Sequence, residues 1–145
     1  MAVKQIVRYL AGTKDKGSIL KPNNKLTLDS MSDSDFAGMY NVDPMDDVSS
    51  AKSRMGYIIS LAGCPLVWKS QLILSVCLAT AEAEYYALSQ CLRVLLPIRR
   101  TLEELVKNLG IPQQLTATIS STAFGDNSAC MTIARDHADR QDEIL

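Results

Sequence analysis

At 145 residues and 47% hydrophobic composition, the chain has enough apolar material for one domain around one core and nothing that marks a second. A net charge of −1 argues against a stand-alone nucleic-acid binder with a general basic excess, and no run approaches the roughly 18 apolar residues of a membrane span. One histidine and four scattered cysteines (Cys64, Cys77, Cys91 and Cys130), with no Cys-x-x-Cys pair, point away from zinc and toward reduced thiols in an intracellular protein.

Val3, Ile6, Val7 and Leu10 recur at helical spacing with Lys4 and Arg8 on the other side, which predicts a short amphipathic packing helix ended by Gly12. Lys25 to Met31 alternates Leu26 and Leu28 with polar residues and runs into Ser32-Asp33-Ser34-Asp35-Phe36-Ala37-Gly38, a strand delivering acids at its end. Residues 39–53 lack periodicity and are predicted to form a surface loop. Its Asp43, Asp46 and Asp47, with Asp29, Asp33 and Asp35, make an acid-rich stretch of the kind usually solvated. Met55 to Leu61 predicts a strand, Ala62-Gly63-Cys64-Pro65 a turn, and Leu66 to Ser70 a return strand continued by Gln71 to Cys77. Short connections make these three strands antiparallel neighbours.

Leu78-Ala-Thr-Ala-Glu-Ala-Glu-Tyr-Tyr-Ala-Leu88 opens the longest helical pattern. From Glu84 onward, Leu88, Cys91, Leu95, Ile98, Leu102, Leu105 and Leu109 alternate spacings of four and three, the stripe of a helix packed on a core. Glu84 lies in that stripe, whereas Glu82 falls nearly opposite as a solvated charge favoured by the helix N-terminus. Pro97 predicts a kink near Arg93 to Leu96 or a break into two helices, and Leu109-Gly110-Ile111-Pro112 a stop. Leu115 to Phe124 predicts another strand ending in Gly125-Asp126-Asn127, and Met131, Ile133 and Ala134 begin a last helix. The order of helix, three antiparallel strands, helix, strand and helix gives an α/β fold, a mixed sheet with helices packed on it.

Two strands end in aspartate and the long helix begins near a core-facing glutamate, so Asp33, Glu84 and Asp126 can converge at one edge of the sheet. Carboxylates without histidine or cysteine suit hard cations, Mg²⁺ or Mn²⁺. Two such ions about 4 Å apart would clamp in-line attack on a phosphodiester. Competing patterns fail: the Asp33 to Gly38 segment starts like a calcium loop but has Pro44 where a bidentate glutamate belongs, no Walker-type glycine loop exists, and His137 is solitary. Gly125-Asp126-Asn127 also has the chemistry of a helix cap.

Taken in order, Ser32-Asp-Ser-Asp-Phe-Ala-Gly38, Gly56-Tyr57, Val67-Trp-Lys-Ser70, Ala79-Thr-Ala-Glu-Ala-Glu-Tyr85, Leu96-Pro-Ile-Arg-Arg100 and Gly125-Asp-Asn-Ser128 resemble the ribonuclease H domain of copia-type LTR retrotransposon polyproteins. Ala2 to Thr13 resembles the segment that joins the reverse transcriptase to that domain. The resemblance implies residues 1–15 as a linking helix and 16–145 as an RNase H-like domain with a five-stranded sheet. It implies metal-dependent hydrolysis of RNA in an RNA–DNA hybrid, in an intracellular, cytoplasmic virus-like particle, with the reverse transcriptase domain of the same polyprotein as partner and no membrane. Carried over, Asp33 bridges two Mg²⁺ or Mn²⁺ ions, Glu84 is the helix glutamate and Asp126 the aspartate ending the fourth strand, while Lys69, Ser70 and Asn127 are candidate substrate contacts. Where the family has an Arg-Thr-Lys-His-Ile-Asp-like motif whose aspartate completes the metal set, this chain has Arg135-Asp-His-Ala-Asp-Arg-Gln-Asp-Glu-Ile-Leu145. Asp136, Asp139 and Asp142, with Asp35, are therefore secondary acids, and the expectation is a domain incomplete at its C-terminus. A catalytically inactive relic is the alternative.

Overall fold

The computed structural model describes residues 2–38, 40, 48–110 and 119–142. Helix α1 (Ala2–Thr13) is followed by strand β1 (Leu28–Asp35), a single 3₁₀ turn (Val48–Ala51), β2 (Arg54–Leu61), β3 (Cys64–Leu72), α2 (Thr80–Asn108), β4 (Ser121–Phe124) and α3 (Ser128–Asp142). The described strands form one four-stranded sheet in the order β3-β2-β1-β4, antiparallel except for the parallel pair β1 and β4. The architecture is thus α/β with a mixed open sheet, in the element order the sequence predicts. The sheet has four strands among the described residues, against the five that the resemblance implies.

Strand alternation sorts the sheet into two faces. Leu28, Ser30 and Ser32 of β1 and Met55, Tyr57 and Ile59 of β2 are buried, while Met31, Asp33 and Ile58 between them are exposed. The inner face packs against α2 through Ala83, Ala87, Cys91 and Leu95, and the two alanines let the helix approach closely. Hairpin β2–β3 closes through two residues, Ala62 (φ 51°) and Gly63 (φ 78°), the left-handed pair that a tight hairpin needs to match strand twist. Cys64 and Pro65 therefore lie in β3 and not in the turn. Proline is tolerated there because β3 is an edge strand, and the register slips beside it, between Ile59 and Ser60.

Several expectations need correction. β1 runs to Asp35, so Asp33 lies inside the strand, two residues before its end. β3 stops at Leu72. Ile73 and Cys77 then enter the core from an irregular segment, with the Ile73 N–H donating to the Ser53 carbonyl at 2.8 Å. Helix α1 continues through Gly12 to Thr13, whose Oγ1 donates to the Tyr9 carbonyl, and its apolar stripe is exposed instead of packed.

Pro97 does not break α2 into two helices. Pro97 and Arg93 both face solvent, so water can satisfy the Arg93 carbonyl that loses its helical donor. The stripe of α2 is buried only as far as Leu95. Ile98 and Leu102 are half-buried, Leu105 and Leu109 are exposed, and Val106 takes the inward position instead, because 3.6 residues per turn rotate a 3/4 pattern off the sheet. The helix ends at Leu109 followed by Gly110 (φ 62°), as the glycine predicts. Pro112, the loop acids Asp43, Asp46 and Asp47, and residues 115–118 of the predicted last strand lie outside the described residues.

Candidate metal centre

The parallel pairing of β1 and β4 sets the centre. Met31 is in register with Phe124, and each is followed two residues later by an aspartate, Asp33 and Asp126. Neighbouring strands lie about 4.8 Å apart, so equal steps past one register pair bring the two acids side by side. Glu84 projects from the second turn of α2, which packs over the inner faces of β1 and β2. One carboxylate oxygen from each of Asp33, Glu84 and Asp126 lies within 4.8 Å of the others.

The three acids differ in setting. Asp33 and Asp126 are exposed, and Glu84 is only 9% exposed. Its Oε1 accepts two hydrogen bonds from Ser34, from the backbone N–H at 3.1 Å and from Oγ at 2.9 Å. Burial pushes the Glu84 carboxyl above its ordinary pKa; the Ser34 hydrogen bonds oppose this, and the nearby charges of Asp33 and Asp126 add to the rise. The ion pairs found among the described residues, Arg99–Glu103 and Arg100–Glu104, lie along α2 away from the cluster, so no protein cation offsets the three carboxylates there. A desolvated glutamate between two like charges is stabilised by a bound cation. The donor set, all carboxylate oxygens with two of the three open to water, fits a hard divalent ion that keeps part of its hydration shell.

Sequence reasoning missed Ser34. Its signal was its position between Asp33 and Asp35, which by alternation faces α2. Glu82, the exposed acid, accepts the Leu78 backbone N–H at 2.6 Å and so secures the entry to α2 that positions Glu84.

The remaining sequence candidates lie elsewhere. The carboxylate of Asp35 lies against Gly38 in the turn after β1, and that turn is held by the Ala37 N–H donating to Ser53 Oγ. Asp136 is exposed on α3, and neither it nor Asp35 belongs to the cluster. The side chains of Asp139 and Asp142 lie outside the described residues. Asp33 pairs with Gly56 and Gly56 with Ser70, so Ser70 shares the face of Asp33 two strands away, about 10 Å. Lys69, one residue earlier, belongs by alternation to the opposite face, and both are exposed. Asn127 caps α3, its Oδ1 accepting the Cys130 N–H at 2.9 Å. Asn127→Ala is expected to cost about 1 kcal/mol and to lower the melting temperature by about 3 °C. An unchanged melt would remove this capping role.

The carboxylate triad at one edge of a mixed α/β sheet is an arrangement that could hold a metal ion. The relatives of the chain narrow the class. It is 37% identical over 111 residues to the retrovirus-related Pol polyprotein from transposon RE2 of Arabidopsis thaliana, a match covering 77% of this chain and 7% of that polyprotein. It is 40% identical over 84 residues to the corresponding polyprotein from transposon RE1 of the same plant, covering 58% and 5%. With that from transposon TNT 1-94 of Nicotiana tabacum it shares 34% over 104 residues, covering 72% and 7%. The chain is therefore related to a segment of retrotransposon Pol polyproteins and spans less than a tenth of their length. No family model and no solved structure matches it.

Proposed function

We propose that this chain is a ribonuclease H-type domain of a copia-type retrotransposon polyprotein, a metal-dependent endonuclease that hydrolyses the RNA strand of RNA–DNA hybrids formed in reverse transcription. The observation that carries this reading is the convergence of Asp33, Glu84 and Asp126, from β1, α2 and the end of β4, within 4.8 Å. The relation to retrovirus-related Pol polyproteins of transposons supports the retrotransposon part of this reading; a hybrid as substrate, the reverse transcriptase domain as neighbour and an intracellular particle as location belong to the proposal itself.

When bound, two Mg²⁺ or Mn²⁺ ions supply the Lewis acidity that activates water and stabilises the leaving oxygen of a phosphodiester. Asp33, Glu84 and Asp126 are the residues that would hold them. Ser34 fixes the Glu84 carboxylate by occupying Oε1 with two donors, leaving Oε2 without a hydrogen bond among the described residues. Such fixing lowers the reorganisation needed when the centre fills. Ser70, exposed on the Asp33 face, would in this reading meet a phosphate or 2′-hydroxyl of an A-like duplex, the features by which such duplexes are recognised. Lys69 would meet the duplex only where it wraps the β3 edge, and the free amide end of Asn127 is the part its cap leaves for substrate.

One observation favours the second reading, a non-catalytic module: no fourth carboxylate joins the cluster among the described residues. The deciding experiment incubates the chain with an end-labelled RNA–DNA hybrid and Mg²⁺ or Mn²⁺, beside single-stranded RNA and duplex DNA. Cleavage confined to the RNA of the hybrid is expected. A folded chain that leaves all three substrates intact would establish the non-catalytic module.

A further inference from the structure

Gly56 stands where the fold does not need a glycine. It lies inside β2, between β1 and β3, and a glycine there costs stability because it packs no side chain and loses more backbone freedom on folding. The usual reasons for accepting that cost do not apply. Among the described residues the glycines with positive φ are Gly63 and Gly110. A Cβ placed on Gly56 would meet nothing closer than the Lys69 carbonyl oxygen at 3.7 Å, an ordinary contact. The register of β2 slips between Ile59 and Ser60 and is regular at Gly56.

A strand glycine that no neighbour demands marks a place where something from outside approaches the backbone. Gly56 is in register with Asp33 of the carboxylate cluster on one side and with Ser70 on the other. All three belong by alternation to the outer face of the sheet, which α2 leaves uncovered. The bare floor therefore starts one strand from the metal centre and reaches Ser70 about 10 Å away. Along β2 the next residues on that face are Arg54 and Ile58, both exposed and each about 7 Å from Gly56. Asp35, the register partner of Arg54, has its carboxylate against Gly38, and Arg54 makes no side-chain hydrogen bond or ion pair among the described residues. A flat floor, an uncommitted cation on one wall and an apolar side chain on the other suit a sugar–phosphate strand, with its phosphate toward Arg54 and its sugar over Gly56 and Ile58.

We infer, on the nuclease reading proposed above, that Gly56 is the floor and Arg54 the phosphate contact of a trough that carries the strand being cut across β2, from the metal centre to Ser70. A side chain at Gly56 would fill the trough without disturbing the carboxylates or the fold.

The test is binding of a fluorescein-labelled RNA–DNA hybrid without divalent metal, read by anisotropy so that no cleavage intervenes. The full chain is compared with Gly56→Val, Gly56→Ala and Arg54→Gln, and Arg93→Gln, which removes an exposed cation of α2, controls for net charge. Both Gly56 variants are expected to melt no lower than the parent, since nothing crowds the position and strands favour side chains over glycine. Gly56→Val is expected to weaken hybrid binding at least about tenfold, and Gly56→Ala by less. Arg54→Gln should weaken it about threefold to tenfold and reduce the salt dependence by about one phosphate contact, with Arg93→Gln changing neither. In Mg²⁺ the Gly56 variants should raise KM and leave kcat, because the carboxylates are untouched. Parental affinity in Gly56→Val overturns the trough, as does unfolding of both Gly56 variants or an Arg54→Gln effect matched by Arg93→Gln. If the unmodified chain still cleaves the hybrid, the trough alone falls; an unmodified chain that neither binds nor cleaves it strikes the nuclease reading and the trough together.

Discussion

If the proposed nuclease reading holds, Asp33→Asn and Glu84→Gln are each expected to lower cleavage of an RNA–DNA hybrid by roughly 10³-fold, the scale set by losing one well-placed electrostatic group at a reacting centre. Both changes keep the shape of the side chain and remove the charge. In Glu84→Gln the amide oxygen can still accept from Ser34, so the local fold is retained. Stability separates this substitution from simple damage. The Glu84 carboxyl of the folded protein titrates above the ordinary value of 4.5, chiefly because it is buried. Its protonated form is therefore favoured by the fold. The corresponding stability is fully present below pH 4.5 and is lost as pH rises through the elevated folded value. Without metal at pH 8, Glu84→Gln should accordingly be more stable than the parent and melt at a higher temperature, with the difference vanishing below pH 4.5.

Added Mg²⁺ should reverse that order by stabilising the parent and not the variant. Thermal melts with and without Mg²⁺ across this pH range make the measurement. A Glu84→Gln variant that is less stable at pH 8 without metal would show that the carboxylate is already compensated within the protein. The metal-site reading would then lose its electrostatic basis.

Ile59→Ala is expected to be the most damaging of the simple core truncations, costing about 3 kcal/mol and about 10 °C. Ile59 is fully buried at the centre of β2, in register with Ser30 of β1 and Val67 of β3, on the face that α2 covers. Truncation opens a cavity directly beneath the strand that carries Asp33. Ile58, its neighbour, points to the outer face, and Ile58→Ala should cost less than about 1 kcal/mol. The contrast between adjacent isoleucines tests the strand register itself, because a slip of one residue exchanges the two faces. Chemical denaturation of the two variants decides it: equal losses, or a larger loss at Ile58, would rule out the register described.

Those two expectations mark what could be read in advance. The preference for Glu84 over Glu82 follows from helical period alone, since Glu84 lies on the line through Leu88, Cys91 and Leu95, and all four are buried. Alternation along Met55 to Leu61 likewise separates inward Tyr57 and Ile59 from outward Ile58. The turn predicted over Ala62 to Pro65 is marked by Gly63, which accepts a left-handed backbone, although the hairpin closes through Ala62 and Gly63 alone. Each of these is a local property, decided by spacing or by the conformational limits of one or two residues.

Other features depend on partners distant in the chain. Period continues the α2 stripe to Leu109, but 3.6 residues per turn rotate it off the core, so Leu105 and Leu109 remain exposed and Val106 packs inward instead. Alternation turns Ser34 toward α2, but it does not say that both its donors meet the carboxylate of Glu84 fifty residues later. The amphipathic pattern of α1 predicts a buried face but not what buries it. By itself the sequence determined the kind and order of the elements, though not their ends, and which acids are candidates for a shared centre, because those follow from period and local backbone preference. Only the tertiary structure decided that β4 pairs parallel to β1 with Phe124 beside Met31, which brings Asp126 next to Asp33, because strand pairing and register are set by long-range packing.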